Sequence, residues 1–261
     1  MLKNKNIYFN LLTVVIAMLS ITQLFGSPKK NNDIPYMSRQ INLSGNFVSF
    51  LIPENFSTDF PADDLIETVN LKGRDDSQEA KPITLLRRWW DFKDNSFFSK
   101  NVGSMMMTIH VYKVKDSQKD ISNPIGFIEA IQLDLEMRDK EENSNTSEDF
   151  KVIYPSSYDS YVQKKFDRLT WLRNATGTFD ERQVTYHYWV QIDDSHYLTV
   201  EFSFAPNDNI AMRTFIDTYC RDMLEKIMST FDVIYSNENP IKAKLENNAQ
   251  LNLEQLVKEL N

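Results

Sequence analysis

Val184-Thr185-Tyr186-His187-Tyr188-Trp189-Val190-Gln191-Ile192-Asp193-Asp194-Ser195-His196-Tyr197-Leu198-Thr199-Val200-Glu201-Phe202-Ser203-Phe204 is the stretch on which the fold turns. Val184, Tyr186, Tyr188, Val190 and Ile192 alternate with Thr185, His187, Trp189 and Gln191. After the Asp193-Asp194-Ser195 turn, Leu198, Val200, Phe202 and Phe204 alternate with Thr199, Glu201 and Ser203. Successive side chains of a strand point to opposite faces, so a period of two predicts an antiparallel hairpin with one apolar face.

The chain around it supplies partners. Residues 168–178 read as a third strand of the same meander. Downstream of Ala205-Pro206-Asn207-Asp208, the residues Met212, Phe215, Ile216, Tyr219, Cys220, Met223, Leu224, Ile227, Met228 and Phe231 recur at three- and one-residue steps. That spacing makes a continuous apolar stripe about five helical turns long, and the even-numbered face of the hairpin is its expected cover. Upstream, residues 41–53 read as a hairpin or as two short strands around Gly45. Residues 54–82 form a long polar loop with one short element near 65–71, and 83–92 and 105–114 read as strands. Asn123 or Ser122 as N-cap, with Pro124 at the first helical position, starts a helix carrying Phe127, Ile128, Ile131 and Leu135, ending near Met137. This order predicts an α+β domain: a twisted antiparallel sheet covered by helices on one face, preceded by one N-terminal membrane helix.

The membrane expectation rests on residues 7–25, an apolar run broken only by Asn10, Thr13, Ser20, Thr22 and Gln23. As a helix it reaches about 28 Å, close to one hydrocarbon thickness. Lys3 and Lys5 precede it and Lys29 and Lys30 follow it, a weak bias towards a cytoplasmic N-terminus. The expected organisation is a signal-anchor or signal peptide over 1–27, a polar linker over 28–40, a binding domain over 41–236 and a helical tail over 237–261. The tail pattern is Ala249, Leu253, Leu256, Val257 and Leu260. The domain is expected in the periplasm, held at the inner membrane or free of it if the signal is cleaved.

Composition narrows the function. Lys and Arg number 29 against 37 Asp and Glu, a net charge of −8, which disfavours binding to a phosphate backbone, so no nucleic acid is expected. A single cysteine, Cys220, excludes an internal disulfide, a CxxC pair and a cysteine zinc cluster. Cys220 sits in the apolar stripe, where a thiol is inert packing. His187 and His196 flank the Asp193-Asp194-Ser195 turn and would need a shared side to hold a metal, whereas the aspartates are also plain turn formers. His110 shares a strand face with Met106, Thr108 and Tyr112, with no nucleophile motif beside it. No catalytic residue, metal or cofactor is assigned.

Residues 41–235 resemble the PsbP-like family, which includes DcrB-type envelope lipoproteins and adaptor chaperones of type VI secretion effectors. The resemblance is carried by Gly45-Asn46-Phe47-Val48-Ser49-Phe50-Leu51-Ile52-Pro53, the mid-chain helix, the late meander ending Leu198-Thr199-Val200-Glu201-Phe202-Ser203-Phe204, and Ile227-Met228-Ser229-Thr230-Phe231. It implies an αβα-like sandwich with a binding or adaptor role. By analogy of architecture, acidic exported α+β proteins of this size also look like immunity proteins that guard the periplasm against secreted toxins.

Two local compositions stand out as binding candidates. Arg87-Arg88-Trp89-Trp90 followed by Phe97-Phe98 combines the residue types enriched at binding hot spots. Glu129, Asp134, Glu136, Asp139, Glu141, Glu142, Glu148 and Asp149 make an acidic stretch that would complement a basic partner. Partner-binding candidates are therefore Arg87, Arg88, Trp89, Trp90, Phe97, Phe98, Glu141 and Glu142. The expected function is non-catalytic binding of a protein partner, with immunity against a basic secreted toxin as the specific expectation. The alternatives are a periplasmic adaptor of an envelope transport machine and a hydrolase built on carboxylates and His110.

Overall fold

The two alternating runs pair antiparallel as their period requires, with Val200 opposite Tyr188 and Phe204 opposite Val184. The computed structural model describes residues 34–57, 65–72, 81–94, 99–114, 120–148, 151–155, 157–178, 182–207 and 209–247. In chain order these form strands β1 (Tyr36–Leu43), β2 (Asn46–Pro53), β3 (Thr68–Val69), β4 (Ile83–Lys93) and β5 (Asn101–Lys113), then helix α1 (Pro124–Asn143). Strands β6 (Val152–Ile153), β7 (Val162–Phe166), β8 (Leu169–Thr178), β9 (Val184–Gln191) and β10 (His196–Pro206) follow. Helix α2 (Met212–Phe215), a π-helical turn (Ile216–Cys220), helix α3 (Arg221–Ser229), strand β11 (Asp232–Ile234) and helix α4 (Lys242–Asn247) are the last of the described elements. The apolar run at 7–25 and the tail beyond Asn247 lie outside the described residues. Among the described residues no helix is long and apolar enough to cross a membrane.

The strands make two sheets. The larger has the order β4-β5-β10-β9-β8-β6, with β7 also paired to β8; the smaller has the order β11-β2-β1-β3. Alternation decides which side chains meet. Leu198, Val200, Phe202 and Phe204 of β10 share a core with Met105, Met107, Ile109 and Val111 of β5, and with Tyr188 and Val190 of β9. Into the same core come Ile41, Leu43, Val48, Phe50 and Ile52 from the small sheet, and the stripe from Met212 to Met228. Phe231 closes it, stacked on Phe50 at 4.7 Å and edge-on to Trp171 at 5.5 Å between ring centres. The long stripe thus finds the even-numbered face of the hairpin, and shares it with a second sheet.

The opposite face carries α1, so helices cover both faces rather than one. Phe127, Ile128, Ile131 and Leu135 of α1 pack on Tyr112, Leu172, Trp189 and Tyr197. The odd-numbered side of the hairpin looks solvent-facing because polar His187, Thr199 and Glu201 stand among its aromatics. A helix with apolar residues at three- and four-residue spacing still needs a partner, and those aromatics are available.

Local chemistry fixes the joints. Asn123 Oδ1 accepts from the Gly126 amide at 2.8 Å, capping α1 as its sequence predicts. Asn123→Ala removes this cap and lowers the unfolding free energy by about 1 kcal/mol in a denaturant titration. Ser44 and Gly45 both have positive φ, +52° and +89°, forming the two-residue turn that joins β1 to β2. Strand β1 begins at Tyr36, inside the stretch expected to be linker, because Tyr36 to Arg39 pair with Pro53 to Phe50. Three carbonyls of edge strand β4 are occupied. Leu85 accepts from Ile66 N at 3.0 Å, Trp89 from Ser57 N at 2.6 Å, and Arg87 from the Arg88 guanidinium at 2.7 Å. An edge protected in this way resists pairing with another chain.

Candidate functional site

Pairing register, not chain proximity, builds the main polar cluster. On the α1 face Glu201 of β10 stands opposite His187 of β9 and Thr108 of β5, and His110 of β5 stands opposite Thr84 of β4. Arg138 reaches down from α1. Its Nη1 donates to Glu201 Oε1 at 3.1 Å, and its guanidinium lies 5.0 Å from the centre of the Tyr112 ring. His187 Nδ1 lies 3.3 Å from Glu201 Oε1, an ion-pair distance. His110 Nε2 lies 3.8 Å from Glu201 Oε2. The outer ring nitrogens are also engaged: Thr176 Oγ1 with His187 Nε2 at 2.8 Å, and Thr84 Oγ1 with His110 Nδ1 at 3.2 Å.

The Glu201 side chain is only 13% exposed. Burial pushes its pKa up, but His187, Arg138 and His110 together outweigh burial and hold the carboxyl well below the ordinary range. Burial pushes the His110 pKa down, Glu201 pulls it up, and Arg138, Arg87 and His187 push it down again, leaving it below the ordinary histidine value. Nearby, the Tyr197 hydroxyl donates to Asp134 of α1, and burial first, then that carboxylate, raises its pKa. The cluster therefore ties α1 to the centre of the sheet through Arg138 on Glu201 and through Asp134 on Tyr197.

Chemically the arrangement contains two hydroxyl–imidazole–carboxylate chains, Thr176–His187–Glu201 and Thr84–His110–Glu201. A nucleophile needs access to substrate. Thr176 is buried, and only Thr84 and His110 reach the partly open part of the face.

The histidines flanking the hairpin turn are not brought together. His187 belongs to the Glu201 cluster, whereas His196 pairs with Asp193, Nδ1 to Oδ1 at 2.9 Å. Asp193 Oδ1 also accepts the amides of Ser195 and His196, at 2.9 and 2.7 Å. Burial raises the Asp193 pKa, but the bonds from His196 and Ser195 outweigh it and leave the carboxyl low. The aspartate is thus a turn former that also orients an imidazole. Both residues border a cavity of about 430 Å³ with Lys72, Lys113, Glu238 and Asn239. His196 Nε2 is shut off from solvent and has no hydrogen-bond partner among the described residues. Among the described residues no group of three or more His, Cys, Asp or Glu side chains is placed to hold a metal ion. Cys220 is buried, and burial pushes its thiol pKa up, away from the reactive thiolate.

The binding candidates divide. Arg87 and Trp89 lie half-buried on the α1 face of edge strand β4, beside Met106. Arg88 and Trp90 point the other way and are corrected here to core residues. Trp90 is 1% exposed, and Arg88 stacks over the Phe56 ring at 5.0 Å. Neighbouring strand residues cannot share a face, so a run of four binding residues was never available to a strand. Phe97 and Phe98 lie outside the described residues. Glu141 and Glu142 are exposed at the end of α1, with Glu136 and Asp139. Glu142 accepts from the Tyr154 hydroxyl at 2.6 Å, and Asn143 bonds the Val152 backbone of β6. Since β6 and β4 are the two ends of the strand order, the acidic and aromatic candidates stand at opposite rims of one sheet face, five strand spacings or about 24 Å apart.

The residues that sequence reasoning missed are Glu201, Arg138 and the Asp134–Tyr197 pair. The available signal was a lone carboxylate in a strand of Leu198, Val200, Phe202 and Phe204, with a histidine directly across the hairpin. No family model matches the chain, and no curated protein matches it significantly.

Proposed function

We propose that this protein is a non-catalytic, partner-binding domain held at the periplasmic side of a membrane by residues 7–25. Its binding face is the α1 side of the seven-stranded sheet. The observation that carries this reading is the distribution of charge and aromatic surface across that face. Glu141 and Glu142 stand at one rim with Glu136 and Asp139 exposed farther back along α1, and the half-buried Trp89 and Arg87 stand at the other rim. An acidic rim accelerates encounter with a basic protein, and an aromatic–arginine pair supplies the residue types that anchor interfaces. A basic secreted toxin neutralised by steric cover is the specific partner proposed. The engagement of Glu201 by Arg138, His187 and His110 supports a structural use of the acid–base cluster.

Surface plasmon resonance of the detergent-solubilised full chain against the product of the neighbouring gene tests the reading. Binding in the micromolar range or tighter is expected, and its absence removes the toxin hypothesis. Trp89→Ala is expected to weaken binding by about thirtyfold, the scale of a hot-spot residue, while leaving unfolding within about 1 kcal/mol of the parent. Equal affinity of the variant and the parent would move the interface elsewhere.

A second reading, a hydrolase, is favoured by the Thr84–His110–Glu201 chain, whose hydroxyl lies on the half-open part of the face. Turnover of ester or peptide substrates that disappears in Thr84→Val would establish it.

A further inference from the structure

The contact between α1 and the sheet is polar for an interior surface. Thr199 Oγ1, Gln191 Nε2 and Tyr161 Oη are shut off from solvent on this side of the sheet, with no hydrogen-bond partner among the described residues. Groups in that state have given up water without compensation, so covering them is costly and uncovering them is not resisted. Against this, Arg138 to Glu201 and Asp134 to Tyr197 hold the middle of α1 to the sheet, while Asn143 and Glu142 tie its end to Val152 of β6 and to Tyr154.

Glu201 is shared. Arg138 approaches it from α1, His187 from β9 and His110 from β5; Arg87 of β4 lies near His110, and Tyr197 with Asp134 and Tyr154 with Glu142 stand around them. The charge count is tight: one carboxylate faces one fixed guanidinium at contact distance, and a second, that of Arg87, stands close. The His110 side chain is 14% exposed, so protons reach it. A proton on His110 adds a cation that repels Arg138 and competes with it for the same carboxylate.

We propose that His110 is the trigger of an acid-sensitive latch: its protonation draws Glu201 away from Arg138 and loosens residues 134–140 of α1 over the sheet, the end of the helix staying tied to β6. Burial together with Arg138, Arg87 and His187 keeps the imidazole neutral at neutral pH, so the latch is shut there and trips on acidification. Loosening uncovers the Tyr112 ring under Arg138 and rehydrates Thr199. The latch is a property of the isolated chain and stands whether or not the face binds a partner.

Amide exchange read by NMR on the full chain in micelles, corrected for intrinsic exchange, tests it. Between about pH 7.5 and pH 5, protection across residues 134–140 is expected to fall at least about tenfold, while 198–204 changes less than about twofold. The His110 ring proton is expected to titrate with the same midpoint, and in His110→Gln the step at α1 is expected to vanish. Equal loss of protection in α1 and β10, an imidazole that stays neutral throughout, or a step that survives in His110→Gln would overturn the proposal. Should that variant not fold, Arg138→Met decides: α1 already open at pH 7.5 with no further step supports the latch, and parental protection and pH dependence overturn it.

Discussion

Glu201→Ala is expected to lower the unfolding free energy by about 3–5 kcal/mol, the range for removing one partner of a buried ion pair. The loss is large because the partners stay. Arg138 keeps its charge under α1 with no carboxylate to meet it, and His187 and His110 lose the acceptor their rings face. Thermal and urea unfolding of the variant should show the drop as an earlier midpoint at unchanged cooperativity. The double variant Glu201→Leu with Arg138→Met should recover part of it, since apolar replacement of a buried pair is often neutral. A Glu201→Ala variant as stable as its parent would show that the cluster is solvated and carries no net attraction.

The same residue gives the pH dependence a definite sign. The folded pKa of Glu201 lies below its unfolded value near 4.5, so its contribution is fully present above that value and is lost as the pH falls. The folded pKa of His110 also lies below its unfolded value near 6.5, so the unfolded chain takes up the proton first and stability starts to fall below that pH. Both groups act in one direction: the domain weakens on acidification, with an onset below about pH 6.5 and a steeper loss below about pH 4.5. Glu201→Gln should flatten the lower limb and deepen the upper one, since without the carboxylate the folded His110 pKa falls further below its unfolded value.

Gly103→Ala is the second large effect. Gly103 holds φ at +147°, and a Cβ there would stand 2.7 Å from the Ala205 carbonyl oxygen and 2.8 Å from the Phe215 ring. Both neighbours are fixed. Ala205 is paired to Ser104 in the ladder, and Phe215 is buried with its ring edge-on to Phe92 at 5.7 Å. Backbone strain of about 1–3 kcal/mol adds to overpacking of about 1–3 kcal/mol, so a loss of about 2–6 kcal/mol is expected in equilibrium unfolding. Gly45→Ala is the matched control. Its φ is also positive, but a Cβ there meets Ser236 only at 3.4 Å, so strain alone operates and the loss stays near the lower figure. Equal effects at the two glycines would mean that the close approach at Gly103 relaxes without cost.

Much of the fold was legible because short-range pattern is physics at the scale of one element. The alternation from Val184 to Phe204, the stripe from Met212 to Phe231 and the Asn123-Pro124 start of α1 each follow from where a side chain points in a strand or helix. Strand β11 escaped because three residues, Asp232 to Ile234, carry no period of their own and exist only by pairing with β2. The pairing of Arg88 and Trp90 with the binding residues failed for a related reason. Composition marks a run as unusual, whereas the pleat decides which alternate members ever see solvent.

What the sequence by itself determined is the set of elements: two alternating strands and their neighbours, an apolar helical stripe, a capped helix and an acidic balance. What only the tertiary structure decided is which faces are covered and which charges meet. Arg138 and Glu201 are 63 residues apart, and His110 is farther still from His187. Their meeting depends on β5, β10 and β9 lying side by side with α1 across them, and a non-local register of that kind leaves no periodic trace in the chain. One carboxylate in an apolar strand looks like a solvent-facing residue until a helix from elsewhere in the chain shuts water out above it. It is that exclusion of water which makes its partners matter.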